Sequence, residues 1–139
     1  MNGRQDTDRL LPRANRYAFL AVLWFGAAVY SLLFRESDGG VPPFPHFDKV
    51  GHFALFFAQF WLAAKAYFSD GLPVPYRLLL VSALVFAVGS ECAQAWFTAT
   101  REGSVADGLA DMAGAAVALW AARKVADAKR HLPKQRQEP

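Results

Sequence analysis

The amino-acid sequence predicts an all-α integral membrane protein in which four transmembrane helices form a small bundle. Hydrophobic residues make up 54% of the 139 residues, above the roughly 45–50% of an ordinary soluble domain. Four apolar runs of 18 to 22 residues follow one another along the chain, and a helix needs about 20 such residues to cross the hydrocarbon core of a bilayer. Glycine and proline are concentrated between the first three runs, as is typical of loops.

The first predicted span covers residues 17–34 and contains no charged residue. As a helix it would be about 27 Å long, close to the ~30 Å thickness of the hydrocarbon core. A cleaved signal peptide is the competing interpretation, because arginines precede the run. The run is longer than a signal-peptide core, however, and LLFRES at its end has no small-x-small cleavage site. We therefore expect residues 1–16 to form a basic cytoplasmic segment ahead of a retained membrane helix.

The other three spans are predicted over residues 50–68, 76–97 and 105–122. Lys65 lies near one end of the second span and can extend its ammonium to the interface. The third span is apolar until Glu91, and the fourth carries Asp107 and Asp111 near its start. A basic tail, residues 123–139, follows the last span and is expected in the cytoplasm. Residues 17–122 thus form the predicted transmembrane domain.

Lysine and arginine residues are distributed unevenly about these spans. With both termini in the cytoplasm, twelve of the fifteen basic residues lie on the inner side, and Arg35, Lys49 and Arg101 lie on the outer side. An excess of basic residues in short cytoplasmic segments is the usual pattern of multi-pass membrane proteins. The sequence therefore predicts a protein of the inner (plasma) membrane with both termini cytoplasmic.

Polar residues that are unusual in membrane helices gather at the outer face in this topology. They are Asp48, Lys49, His52, Glu91, Gln94, Arg101, Asp107 and Asp111. Three pairs among them are three or four residues apart, so each pair shares one face of a helix. Because ionisable residues within membrane segments usually mark function, the sequence predicts a candidate functional cluster at this face.

Small residues recur at every fourth position of the last span. They are Ala106, Ala110, Gly114, Ala118 and Ala122. A small-xxx-small pattern lets two membrane helices approach closely. We therefore expect this stripe to pack against another helix of the bundle.

No catalytic motif accompanies the polar cluster. The sequence contains no HExxH, no GxSxG and no phosphate-cradling loop, so no catalytic residue is assigned and the balance is against an enzyme. We expect no cofactor and assign no metal ligand. The single cysteine, Cys92, falls in an apolar run and is expected to be buried. The expected partner is the lipid bilayer rather than nucleic acid, and a homo-oligomer remains open.

Three segments resemble the VanZ-like family of small membrane proteins. They are DKVGHFALFF at residues 48–57, ECAQ at residues 91–94 and REGSVADGLADMAG at residues 101–114. The resemblance implies a four-helix membrane protein. The family takes its name from a member associated with lowered susceptibility to the glycopeptide teicoplanin, and its biochemical activity is not established. This sequence departs from the family pattern at Asp111, where Asn is usual, and at Phe56, where Tyr is common.

Three interpretations of the cluster stay open on the sequence. It can be a polar network that fixes the register of the helices. It can bind the polar headgroup of an envelope lipid or a lipid-linked molecule, with Lys49 and Arg101 contacting an anion. It can belong to a hydrolase or transferase acting on an envelope lipid, with His52 as acid or base oriented by Asp48, and with Asp107 or Glu91 as a second acid/base or a metal ligand. A proton- or ion-coupled carrier is the least favoured interpretation, because polar residues lie at one face only.

Overall fold

The computed structural model describes residues 10–34, 41–99 and 103–131. These residues form four α-helices and no β-strand: α1 (Arg16–Leu33), α2 (Phe47–Ser69), α3 (Tyr76–Phe97) and α4 (Val105–His131). The predicted all-helical class with four helices is therefore confirmed for this part of the chain. The largest differences from the predicted spans are that α2 begins three residues earlier and that α4 continues nine residues further, into the predicted tail.

Side-chain caps explain where α1 and α4 begin. The side-chain oxygen of Asn15 accepts hydrogen bonds from the backbone N–H groups of Tyr17 and Ala18. At the start of α4, the Ser104 hydroxyl accepts a hydrogen bond of 3.4 Å from the backbone N–H of Asp107. Asn and Ser are favoured at these positions because they satisfy N–H groups that have no partner within the helix.

The helices pack in the cyclic order α1, α2, α4, α3. Helices α2 and α4 run parallel, since Lys49 contacts Asp107 near their starts and Lys129 lies over the ring of Phe68 near their ends. Helices α1 and α3 also run parallel to each other. The α2–α4 interface is the most extensive in the bundle. Residues far apart in the sequence, in the second and fourth helices, are thereby brought side by side.

Gly114 permits the close packing of α2 against α4. A Cβ atom at this position would lie 2.2 Å from the backbone oxygen of Phe53, so the two atoms would overlap. Of the other small residues predicted to form a packing stripe, Ala118 is buried, Ala110 is partly buried and Ala106 is exposed. The stripe is therefore buried at Gly114 and Ala118 and is exposed at the start of α4.

The buried core along the bundle axis is narrow and rich in alanine. Its members are Leu32, Phe56, Phe60, Ala64, Ala83, Ala87, Ala115, Ala118, Leu119 and Ala122. Phe56 is fully buried, and its ring centroid lies 4.9 Å from that of Phe86. The position at which the resembled family commonly has Tyr is thus occupied here by an aromatic ring packed in an apolar environment.

Three helices, α1, α3 and α4, are long and apolar enough to cross a membrane. Large apolar side chains cover the outside of the bundle, and on α1 they include Phe19, Val22 and Leu23, each more than half exposed. Continuous apolar surface of this kind is unfavourable in water and is typical of contact with lipid. Helix α2 is not one of the three, although its 23 residues would extend about 35 Å.

Candidate functional site

One end of the bundle gathers the acidic residues of the predicted cluster. Helices α1 and α3 end there, and α2 and α4 begin there. We call it the acidic end, after four carboxylates that belong to three different helices: Asp48, Glu91, Asp107 and Asp111. The predicted convergence of polar residues from separate spans is therefore present among the described residues.

His52 and Asp111 form the centre of the site. The Nδ1 atom of His52 lies 3.0 Å from Oδ1 of Asp111, and the two residues are 6% and 0% exposed. The same Nδ1 atom lies 3.8 Å from Oε1 of Glu91. The parallel packing of α2 and α4 produces the first contact, and α3 supplies the second. Residues from three helices thus meet around one imidazole ring, and we call them the His52–Glu91–Asp111 triad.

The second carboxylate oxygen of Glu91 is held by the start of α4. Its Oε2 atom accepts a hydrogen bond of 2.6 Å from the backbone N–H of Ser104, the residue before the helix. Helix N-termini favour negative charge because their first N–H groups have no partner within the helix. Glu91 is thereby oriented with its Oε1 atom toward His52.

Two carboxylate oxygens of the triad have no hydrogen bond. Oε1 of Glu91 and Oδ2 of Asp111 are buried and have no partner among the described residues. Oε1 of Gln59, about two helical turns beyond His52 on α2, is also buried without such a partner. Buried polar atoms are nearly always hydrogen-bonded in folded proteins, so these oxygens indicate a place where a proton, an ion or a ligand group can bind.

Lys49 and Asp107 form the rim of the site. Nζ of Lys49 lies 2.9 Å from Oδ1 of Asp107 and 3.1 Å from Oδ2 of Asp48. Lys49 precedes the predicted span, and its hydrogen bonds to Asp107 and then Asp48 raise the pKa of its ammonium group. The lysine therefore remains charged and is already shared between two carboxylates.

Gln94 and Asp48, two described residues of the predicted cluster, make their contacts outside the triad. The Gln94 side chain donates a hydrogen bond of 2.9 Å to the backbone oxygen of Leu32, so it joins α3 to α1. Asp48 is exposed at the rim and contacts Lys49 rather than His52, so it does not orient the imidazole. Arg101 lies outside the described residues.

An apolar groove between α3 and α4 borders the triad. It has a volume of about 470 Å³, and Glu91 is its only charged lining residue among those described. Gly108 lies in its wall, where a Cβ atom would be 3.8 Å from Cγ of Glu91. Cys92 also lines the groove and is exposed, so the expectation that its thiol is buried was wrong. The small side chains of α3 and α4 along this seam leave the space open.

Sequence reasoning missed Ser104 and Gly108. Ser104 has a recognisable signal, because Ser before an apolar run with an acid three residues later is typical of a helix start. Gly108 has none, since a glycine in a helix can mark close packing, a groove or nothing. The partner of His52 was missed as well, because spacing along one helix cannot show which neighbouring helix it faces.

Comparisons with protein-family models, with curated proteins and with solved structures found no match. The resemblance to the VanZ-like family therefore rests on the motif residues. Several of these residues, Lys49, His52, Asp107 and Gly114, lie at the α2–α4 interface in the structure.

Proposed function

We propose that this is a four-span protein of the inner membrane that binds a lipid-like molecule at its acidic end. In this proposal the acidic end faces outward and both termini are cytoplasmic. The α3–α4 groove holds the apolar chain of the ligand, and the His52–Glu91–Asp111 triad receives its polar headgroup. A role in glycopeptide susceptibility rests on the resemblance alone and is not part of the proposal.

The distribution of charge along the bundle supports this orientation. Basic residues that include Arg16, Lys65, Arg77 and Arg123 belong to the helix ends opposite the acidic end. A cytoplasmic position for these residues agrees with the excess of lysine and arginine on the inner side of membrane proteins. The length of α2 and its packing beside α4 support a fourth span. Its polar side chains agree with this, because His52 is buried and Gln59 is partly buried.

The groove is the observation that carries the proposal. The α3–α4 groove is apolar and has one carboxylate among its described lining residues, so it offers an apolar region for a chain and one position for a polar group, as an amphiphile requires. Ligand sites are commonly apolar cavities with a few polar groups that fix orientation. Oε1 of Glu91 is buried and has no hydrogen-bond partner among the described residues, so it is available to a headgroup donor.

The charge of the acidic end favours a cationic or hydrogen-donating headgroup. Among the described residues, four carboxylates stand against Lys49 and against His52, which is charged only when protonated. Lys49 is already held by Asp107 and Asp48, so it is poorly placed to bind an additional anion. We therefore assign amine or hydroxyl groups, rather than phosphate, to the part of the ligand that contacts Glu91.

Capture of photoreactive amphiphiles by the reconstituted protein tests this proposal. A photoreactive long-chain alkylamine and a photoreactive fatty acid of equal chain length would be compared in vesicles of neutral phospholipid, with a chelator present. We expect the amine to label the protein more strongly than the acid. The Gly108→Leu variant, which fills the groove beside Glu91, should lose this preference.

The Gly89→Leu variant is the matched control. Gly89 lies on α3, and a Cβ atom added there would have no other atom within 4 Å, so a side chain at this position meets open space. It should therefore retain the preference for the amine. Equal labelling by amine and acid, or an unchanged preference in Gly108→Leu, would instead support a polar network that only fixes the packing of the helices.

A further inference from the structure

We propose that the His52–Glu91–Asp111 triad is a binding site for a divalent transition-metal ion of the zinc class. The sequence allowed Asp107 or Glu91 as a metal ligand only in the enzyme interpretation, and the three residues of the triad belong to different helices. The ion would be held by the protein side chains alone, and because it would use Oε1 of Glu91, it would occupy the triad in place of an amine headgroup rather than together with one.

The spacing of the three side chains fits a coordination sphere. One ligand atom from each residue can be chosen such that all three lie within 4.8 Å of one another. Nδ1 of His52 is 3.0 Å from Oδ1 of Asp111 and 3.8 Å from Oε1 of Glu91. Two ligand atoms bound to one tetrahedral zinc ion at 2.0–2.1 Å are about 3.4 Å apart. Only small side-chain movements would therefore bring the three groups onto one ion.

The unsatisfied oxygens of the triad are suited to binding a cation. Asp111 is fully buried, and its Oδ2 atom has no hydrogen-bond partner among the described residues. Oε1 of Glu91 is buried beside it in the same condition. A buried carboxylate is strongly unfavourable unless charge or hydrogen bonds compensate it. His52 contacts only Oδ1 of Asp111, so Oδ2 can bind another positively charged partner.

The chemistry of the donor set favours a transition metal over calcium or magnesium. Calcium takes six to eight oxygen ligands and magnesium keeps an octahedron of oxygens, whereas imidazole nitrogen suits zinc and related ions. One imidazole and two carboxylates are a ligand set of the kind that leaves a coordination position open for water or substrate. Because Glu91 also lines the α3–α4 groove, that part of the site borders the space assigned to an amphiphile.

The surroundings hold the ligands in place. The backbone N–H of Ser104 donates to Oε2 of Glu91 at 2.6 Å, and such contacts from outside the ligand set commonly orient metal-binding carboxylates. Asp107, the nearest other buried acid, is engaged by Lys49 at the rim. Asp107 shares α4 with Asp111, but it forms an ion pair with Lys49 and is not one of the three candidate ligands.

Zinc binding by the purified full chain tests this inference. The protein would be prepared without a histidine tag, stripped with a chelator and titrated with Zn²⁺ alone, with metal content measured after dialysis and with Co²⁺ absorption as a second readout. We expect one zinc ion per chain. Asp111→Asn should weaken binding by at least about 100-fold, beyond the 10–100-fold typical of losing an outer contact.

Asp111→Asn is a suitable variant because the amide has the same shape and its oxygen can still accept a hydrogen bond from His52. Asp127→Asn, on the same helix as Asp111 but near its opposite end, is the matched control and should retain the zinc site. Glu91→Gln provides a second test of the triad if Asp111→Asn does not fold. Wild-type protein that binds zinc no better than these triad variants, or an equal loss in Asp127→Asn, would overturn the inference. Amine labelling, measured with a chelator present, reports on the groove separately.

Discussion

The two ends of the bundle handle charge in opposite ways. At the end opposite the triad, cations lie on aromatic rings near the surface: Lys65 is 5.1 Å from the ring centroid of Tyr17, and Lys129 is 6.0 Å from that of Phe68. At the acidic end, Asp111 and His52 are buried and Glu91 nearly so. We call the end opposite the triad, where Lys65 and Lys129 lie, the basic end.

The lysines at the basic end pack on the surface of the fold, whereas the ionisable groups of the triad at the acidic end are buried together in the proposed site. A long basic side chain can keep its charged group at the interface while its stem and a neighbouring ring pack together. A buried carboxylate cannot reach water in this way, so its charge is stabilised only by its protein partners. Substitutions at the acidic end should therefore have larger effects on stability than equivalent substitutions at the basic end.

Removal of His52 should have the largest effect on stability. His52→Leu leaves the fully buried Asp111 without its partner, and breaking a buried charge pair from one side costs about 3–5 kcal/mol. Unfolding in detergent with a chelator present would measure the loss. Lys65→Met, at the basic end, should cost about 1 kcal/mol or less, as expected for one cation–π contact.

The double variant His52→Leu/Asp111→Leu is the informative control. It removes both members of the pair and should be more stable than His52→Leu alone, because the fully buried carboxylate of Asp111 is no longer left without its partner. A double variant that is less stable than either single variant would show that the volume of these side chains, not their charge, dominates at the acidic end.

A methyl group at Gly114 should be nearly as disruptive. Gly114→Ala places a Cβ atom against the backbone of Phe53 and pushes α2 and α4 apart, so we expect a loss of about 3 kcal/mol, near the upper part of the usual range for overpacking. Gly51→Ala, where a Cβ atom meets open space, should leave stability unchanged or raise it slightly. Equal melting temperatures for the two variants would contradict the close approach of these helices.

Loss of the Asn15 cap should have a moderate effect at the basic end. Asn15 accepts from the N–H groups at the start of α1 and donates to the backbone oxygen of Ala66 and to Asp70. We expect Asn15→Ala to cost about 1–2 kcal/mol in the free energy of unfolding. Asn15→Ser keeps the capping oxygen but loses both donated bonds, so it should lie between Asn and Ala. An unchanged Asn15→Ala protein would remove the role of this cap.

Substitution of Cys92 should have the smallest effect. The thiol is exposed in the groove, and surface substitutions usually change stability by less than about 0.5 kcal/mol. We therefore expect Cys92→Ala to unfold at the wild-type temperature. A large loss of stability would mean that the thiol is packed against its neighbours, as its position in an apolar run first indicated.

Much of the fold follows from the sequence because hydrophobic length sets the helices. The predicted span 76–97 has the bounds of α3, and the run before it ends close to Ser69, the last residue of α2. The extension of α4 to His131 was harder to delimit, since its last part is polar and apolarity no longer marks where the helix ends. The cyclic order of the helices could not be obtained, because four runs of similar composition are compatible with several arrangements.

The site was predictable as a gathering of residues but not as a geometry. Topology alone brings Asp107, Asp111, Glu91 and His52 to one end of the bundle. The cyclic order α1, α2, α4, α3 then decides that His52 meets Asp111 and that Gln94 turns toward α1 instead. The groove forms because several side chains along α3 and α4 are small, and no sequence motif predicts such a space.

Protection of Cys92 tests the central claim most directly, that the acidic end and its groove bind an amphiphile. Cys92 is the only cysteine of the chain and lines the groove, so the rate of its alkylation in vesicles reports on that space without an introduced label. We expect a long-chain alkylamine to slow alkylation in wild-type protein and in Gly89→Leu, and a fatty acid of equal length to protect less. Equal protection by amine and acid, or no protection by either, would contradict it.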